Sequence, residues 1–265
     1  MLLNSVIIIL REVLEAALLM SVCLASNRFL RSGHRWAIAA LLAGAAGAIL
    51  YGYFLEPISE LFDGVGQEVC NALLQYTACM LLVIVVFLIP QRLRDSRSAA
   101  SNIALFMALA TAIAITREGA EILVYVSGLW QVSEFFSAVA IGSVLGAGIG
   151  CSVGVLLYYL LVAQPVRWAL PTTLVLLHLI AAGMASQATR LLVQADWITT
   201  GGAVWDSSGI LSEQSLAGQL LYAFVGYEAS PSAIEALTYA GSLVLVATAW
   251  LLGTCKARSA RQGSP

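Results

Sequence analysis

Two short stretches of this chain set charge inside apolar sequence: Arg11-Glu12-Val13-Leu14-Glu15 and Arg117-Glu118-Gly119-Ala120-Glu121. On a helix each residue turns by about 100°, so the Arg and both Glu residues of each stretch share one face. An ionisable group at mid-bilayer opposes insertion by about 2.5–3.5 kcal/mol, and six of them by roughly 15–20 kcal/mol before pairing. Pairing each Arg with one Glu offsets part of that, but mere neutralisation leaves the second Glu of each stretch without a purpose. Glu12, Glu15, Glu118 and Glu121 against Arg11 and Arg117 carry a net negative charge when all are ionised. Such a site favours a multivalent cation.

The ligand type narrows the ion. Carboxylate oxygen suits hard cations, whereas thiolate and imidazole suit softer ones. The chain has two histidines, His34 and His178. The first falls in a loop. The second lies in a helix, where it either lines a path or makes an ordinary hydrogen bond. Cys23, Cys70, Cys79, Cys151 and Cys255 are scattered without zinc or redox spacing and read as packing residues. Chemistry alone leaves Fe³⁺, Mn²⁺, Mg²⁺ and Ca²⁺ open, with no permanently bound cofactor.

The elements that must position these groups are membrane helices. Of 265 residues, 60% are hydrophobic and 11% charged, against about 25% charged in a soluble domain. The class is all-α and polytopic, set in the lipid bilayer. The net charge of −2 offers no basic field for nucleic acid. Seven stretches can span, at roughly 3–27, 36–55, 68–90, 101–128, 133–163, 168–192 and 233–254. The first lacks a basic leader region and reads as a retained helix, not a signal peptide.

Loop charges alternate. Arg28, Arg31 and Arg35, then Arg92, Arg94 and Arg97, then Arg167, then Lys256, Arg258 and Arg261 mark one side. Glu56, Glu60, Asp63 and Glu68, then Glu134, then Asp196, Asp206, Glu213 and Glu228 mark the other. The positive-inside rule puts the N-terminus outside and the C-terminus inside. Glu56, Glu60 and Asp63 are either an outer mouth that gathers cations or an ordinary solvated acidic loop.

The charged motif recurs in the first and fourth spans. Small residues recur in the second (Gly44, Ala48, Gly52) and the fifth (Gly142, Gly146, Gly150, Gly154). Such ladders let helices approach closely. Residues 1–98 and 99–195 therefore read as two three-helix repeats, the second inverted, followed by an outer loop, a seventh helix and a tail over 196–265. All belong to one permease domain. Inverted repeats are a transporter architecture with a midplane site. Counting along the helices puts all four Glu roughly 12–18 Å below the outer ends. Asn71, Gln75 and Gln187 either line the path or tie helices together. Residues 213–225 can form a short interfacial helix, as plain packing, a gate or a docking site for an oxidase.

At the two motifs the chain resembles the high-affinity iron permeases, comprising the fungal oxidase-linked iron permease and the bacterial ferrous-iron-uptake permease. Their pattern is Arg-Glu-x-x-Glu in helices 1 and 4, seven spans and an outside N-terminus. Trp205-Asp206-Ser207-Ser208, Leu211-Ser212 and Gly226-Tyr227 also look like the family's loop before helix 7. The resemblance covers nearly the whole chain. It implies inward movement of iron, oxidised at the outer face and passed on as Fe³⁺, with an extracytoplasmic iron-oxidising or iron-binding partner. By this likeness Glu12, Glu15, Glu118 and Glu121 coordinate the ion, and Arg11 and Arg117 hold and balance them. One departure is Val13, where a Gly is usual, which makes less symmetric helix packing the expectation here.

Rival functions fit less well. Bundle di-iron enzymes use Glu-x-x-His, which is absent, as are His-Glu-x-x-His and a Walker motif. A carrier of another hard divalent cation or of protons stays open, and a receptor or scaffold has little reason to bury four carboxylates. The lack of glycosylation sites and long tails points to a multi-pass protein of a bacterial inner membrane.

Overall fold

The computed structural model describes residues 1–30, 33–94, 102–130 and 136–262. Arg31, Arg97 and Glu134 of the loop-charge pattern lie outside them. The described residues are almost wholly helical: α1 (Leu2–Leu30), α2 (Arg35–Tyr53), α3 (Leu55–Ser59), α4 (Gly66–Arg94), α5 (Ile103–Trp130), α6 (Phe136–Ala163), α7 (Val166–Gln194), α8 (Leu216–Val225) and α9 (Ala233–Gln262). Among these residues six helices are long and apolar enough to cross a membrane: α2, α4, α5, α6, α7 and α9. The 29-residue α1 is long enough but holds Arg11, Glu12 and Glu15. Large apolar side chains stand exposed along the outer faces, among them Leu42 and Ile49 on α2, Val144 and Leu156 on α6, and Leu251 and Leu252 on α9. That is the inverse of a soluble surface.

The helices pair through the small residues. Gly142 meets Ser5, Gly146 meets Val6 and Ile9, Gly150 meets Val13, and Gly154 meets Ala17. The two residue numbers rise in step, so α1 and α6 run parallel. A methyl group added at Gly146 would stand 2.6 Å from the Val6 carbonyl oxygen, so a larger residue there would push the backbones apart. Likewise Gly44 meets Ile115, Gly119 meets Ala48, and Gly52 meets Leu123, which makes α2 and α5 a second parallel pair. The ladders are thus seams. The two pairs meet where α1 lies on α5, and α4 packs against α5, α7 and α9.

Arginines gather the helix C-termini at one end. Arg28 donates to the carbonyls of Val162 and Gln164 at 2.6 and 2.8 Å. Arg92 donates to Leu30 O at 3.3 Å and Arg94 to Ala257 O at 2.7 Å. The ends of α1, α4, α6 and α9 therefore meet in one basic layer, where cations complement the negative ends of helix dipoles. α9 runs past the expected end at 254 to Gln262. At its start Ser232 and Glu235 form a reciprocal cap: Ser232 N–H donates to Glu235 Oε2 at 2.6 Å, and Glu235 N–H to Ser232 Oγ at 3.4 Å.

Candidate metal site

The two charged motifs meet where α1 crosses α5. Glu12, Arg117 and Glu118 are buried, at 6, 5 and 3% exposure. One oxygen from each of Glu12, Glu118 and Glu121 lies within 4.8 Å of the others. Three of the four predicted ligands therefore converge from two helices. The fourth, Glu15, is held by arginines: Arg11 Nε is 3.4 Å from its Oε1, and Arg117 Nη1 is 3.6 Å from its Oε2.

The two arginines are not equivalent. Arg117 grips Glu118 with Nη1 at 2.7 Å and Glu121 with Nη2 at 2.9 Å. Its planar fork satisfies two carboxylates at once and touches a third. Arg11 reaches Glu15, and its side chain is 39% exposed. Its guanidinium sits 4.2 Å from the centre of the Tyr222 ring, a cation–π contact. Glu12 Oε2 and Glu118 Oε2 are buried with no hydrogen-bond partner among the described residues. Such buried acceptor oxygens suit an oxygen-liking cation.

Tyr222 places α8 in the site. A short helix does form within the expected stretch, as α8, and its Tyr222 is buried. With Glu15, Glu118, Gln187 and Gly226 it lines a small cavity of ≈ 20 Å³, room for about one water-sized particle. Gly226 ends α8 in the left-handed conformation (φ 66°) and packs on Gly183 of α7. The aromatic composition of the loop gave a helix but not its burial against Arg11. Beyond the cavity, toward the basic end, Leu19, Val22, Leu82, Met107, Leu177 and Val246 belong to one packed apolar core.

Other sequence candidates fall elsewhere. Glu56, Glu60 and Asp63 are exposed on α3 and the short helical turn after it and do not join the carboxylate cluster. His178 Nδ1 pairs with Leu174 O at 2.6 Å, an ordinary intrahelical bond. The cysteines are all free.

The sequence profile of the iron permease FTR1 family matches residues 2–261. The chain belongs to that family. Its relatives include the ferrous iron permease EfeU of Escherichia coli O6:H1, 28% identical over 93% of this chain and 94% of that protein. The protein of the same name from Shigella sonnei is 28% identical over 96% of this chain and 98% of its own length. That from Shigella flexneri is 26% identical over 79% and 92%. No solved structure matches. The family assignment, these bacterial relatives and the apolar helices together make the chain a multi-pass iron permease family protein of the bacterial inner membrane.

Proposed function

We propose that this permease carries iron inward through the carboxylate cluster of its two Arg-Glu-x-x-Glu motifs. The observation that carries this reading is the meeting of Glu12, Glu118 and Glu121 inside an apolar helix bundle. Arg117 holds Glu118 and Glu121 in the empty protein and gives them up as the cation enters. Glu15 hands the ion from the Arg11 side. The inside-negative potential assists entry by about 2.3 kcal/mol per charge per 100 mV.

In this reading α1 is a seventh span, since pairing of its charges with Arg117 of α5 and Tyr222 of α8 lowers the obstacle to insertion. The pairing of α1 with α6 and of α2 with α5 supports two inverted three-helix repeats, for exchanging the repeats maps one pair onto the other. The Arg-capped ends of α1, α4, α6 and α9 support a basic cytoplasmic face and an outer N-terminus. Iron arrives as Fe³⁺ formed from Fe²⁺ by an extracytoplasmic oxidising partner.

The test is uptake of radioactive iron by cells lacking their own iron transport, comparing the intact protein with Glu12→Gln, Glu118→Gln and Glu121→Gln at matched membrane levels. Uptake lost in all three supports the shared site. Undiminished uptake in Glu118→Gln removes it. Competition by excess Mn²⁺ over iron would favour a general carrier of hard divalent cations. Equal uptake with and without a ferrous chelator would place oxidation before entry.

A further inference from the structure

We propose that Asn71 and Gln75 of α4, with Gln187 of α7, contact the cation as a second and weaker station beside the carboxylates. This rests on the reading of the carboxylate cluster as the transport site. Asn71 and Gln75 are four residues apart and share one helix face. They are buried to 4 and 1% exposure, and Gln187 to 6%. Asn71 Nδ2 donates to Glu121 Oε1 at 3.4 Å, which joins the first amide to the carboxylate cluster. Gln75 Nε2 donates to Gln187 Oε1. Gln187 in turn lines the cavity that Glu15 and Glu118 share.

Asn71 Oδ1 and Gln75 Oε1 have no donor among the described residues, as is true of Glu12 Oε2 and Glu118 Oε2. Two helix-tying amides would be expected to satisfy each other fully in so dry a place. Here four acceptor oxygens are left over, and the neighbouring guanidinium already spends Nη1 and Nη2 on carboxylates; its Nε is the leftover donor. Amide oxygens are ordinary ligands of hard cations. They coordinate without adding negative charge, so an ion passed to them is held less tightly. Conduction needs such a step, because a site strong enough to capture an ion must also release it.

The experiment measures iron uptake kinetics and Mn²⁺ binding by the purified protein for Gln75→Leu, Gln75→Glu, Asn71→Leu and Glu118→Gln. Gln91→Leu, which removes a buried glutamine bonded to Phe87 O near the far end of α4, is the control. We expect Gln75→Leu to reach the membrane normally and lose about tenfold in maximal uptake with little change in half-saturation, the signature of a transfer step. Gln75→Glu should bind Mn²⁺ more tightly than the intact protein while turning over more slowly. A merely structural tie would not produce that inverse pair. Normal uptake in Gln75→Leu and Asn71→Leu, with Glu118→Gln inactive, overturns this inference and leaves the carboxylate site standing. Equal loss of folding in Gln75→Leu and Gln75→Glu, with no gain in Mn²⁺ affinity, also overturns it. Full activity in Glu118→Gln would remove the site on which both readings depend.

Discussion

Arg117 of α5 reaches across to Glu15 of α1, with Nη1 3.6 Å from Oε2, while the same guanidinium grips Glu118 and Glu121 on its own helix. One buried cation thereby links both motifs. Lysine keeps the charge but not the fork. Arg117→Lys should therefore cut iron uptake by about tenfold or more, which corresponds to ~1.4 kcal/mol of lost interaction. Arg117→Met leaves the carboxylates unbalanced and should destabilise the protein by about 3–5 kcal/mol. Arg11→Lys, at a half-exposed position, should cost far less on both counts. Uptake at matched expression and thermal melting in detergent check the series. Equal effects at Arg11 and Arg117 would contradict the asymmetry.

A second, partly buried pair anchors the long segment before α9. Arg190 Nη1 lies 2.9 Å from Glu228 Oε1 and 4.0 Å from Glu213 Oε2. Glu213 also accepts from the Ala229 N–H at 2.6 Å. Burial pushes the Glu228 carboxyl above its usual range, and Arg190 pulls it back. Arg190→Met removes that pull, so Glu228 should rise further. A carboxyl raised on folding stabilises the fold at low pH and loses that contribution as pH climbs through its folded value. The melting penalty of Arg190→Met should accordingly be small in acid and grow toward neutral pH. It should reach about 2 kcal/mol, less than for a fully enclosed pair because Arg190 is 36% exposed. Adding Glu228→Gln should recover part of it. A penalty independent of pH would contradict the argument.

Much of this architecture can be read from residue types. The motif spacing puts three charged groups on one helix face, and three of the four carboxylates do meet. The small-residue ladders mark the seams, and the loop arginines mark one end of the bundle. The unequal arginines are not legible, because periodicity gives the face of a helix but not the partner it meets. Arg11 and Arg117 have identical local sequence contexts in charge; only packing makes one central and the other half-exposed. Tyr222 is hidden for a related reason. An aromatic residue in a loop is equally suited to the interface and to a deep cation–π contact, and the fold of residues 195–232 decides between them.

The proposed orientation can be checked with thiol labelling. Cys255 is exposed near the end of α9, in the basic layer. A membrane-impermeant maleimide should label it only after the cells are opened. In a background lacking Cys255, Glu60→Cys, in the exposed acidic segment after α3, should react in intact cells. Labelling of Cys255 in intact cells would reverse the orientation.

Val13 stands where the family usually has glycine. Its Cγ1 would lie 3.0 Å from a methyl group added at Gly150. In the other helix pair Gly119 occupies the matching motif position, and a methyl group there would meet the Ala48 Cβ at 2.8 Å. At this one level the two seams use opposite assignments of the same fit: bulk on the motif helix against glycine in one, glycine on the motif helix against a larger residue in the other. Gly150→Ala alone should overpack the α1–α6 seam and destabilise it by about 1–3 kcal/mol. Val13→Gly alone should leave a gap and add a helix penalty of about 0.3–0.5 kcal/mol relative to valine. Combined, Val13→Gly and Gly150→Ala recreate the Gly119–Ala48 level of the α2–α5 seam. The double variant should melt higher than the sum of the single losses allows and recover uptake relative to Gly150→Ala. Strict additivity, measured as a double-mutant cycle in detergent, would show that the two side chains do not fit against each other as described.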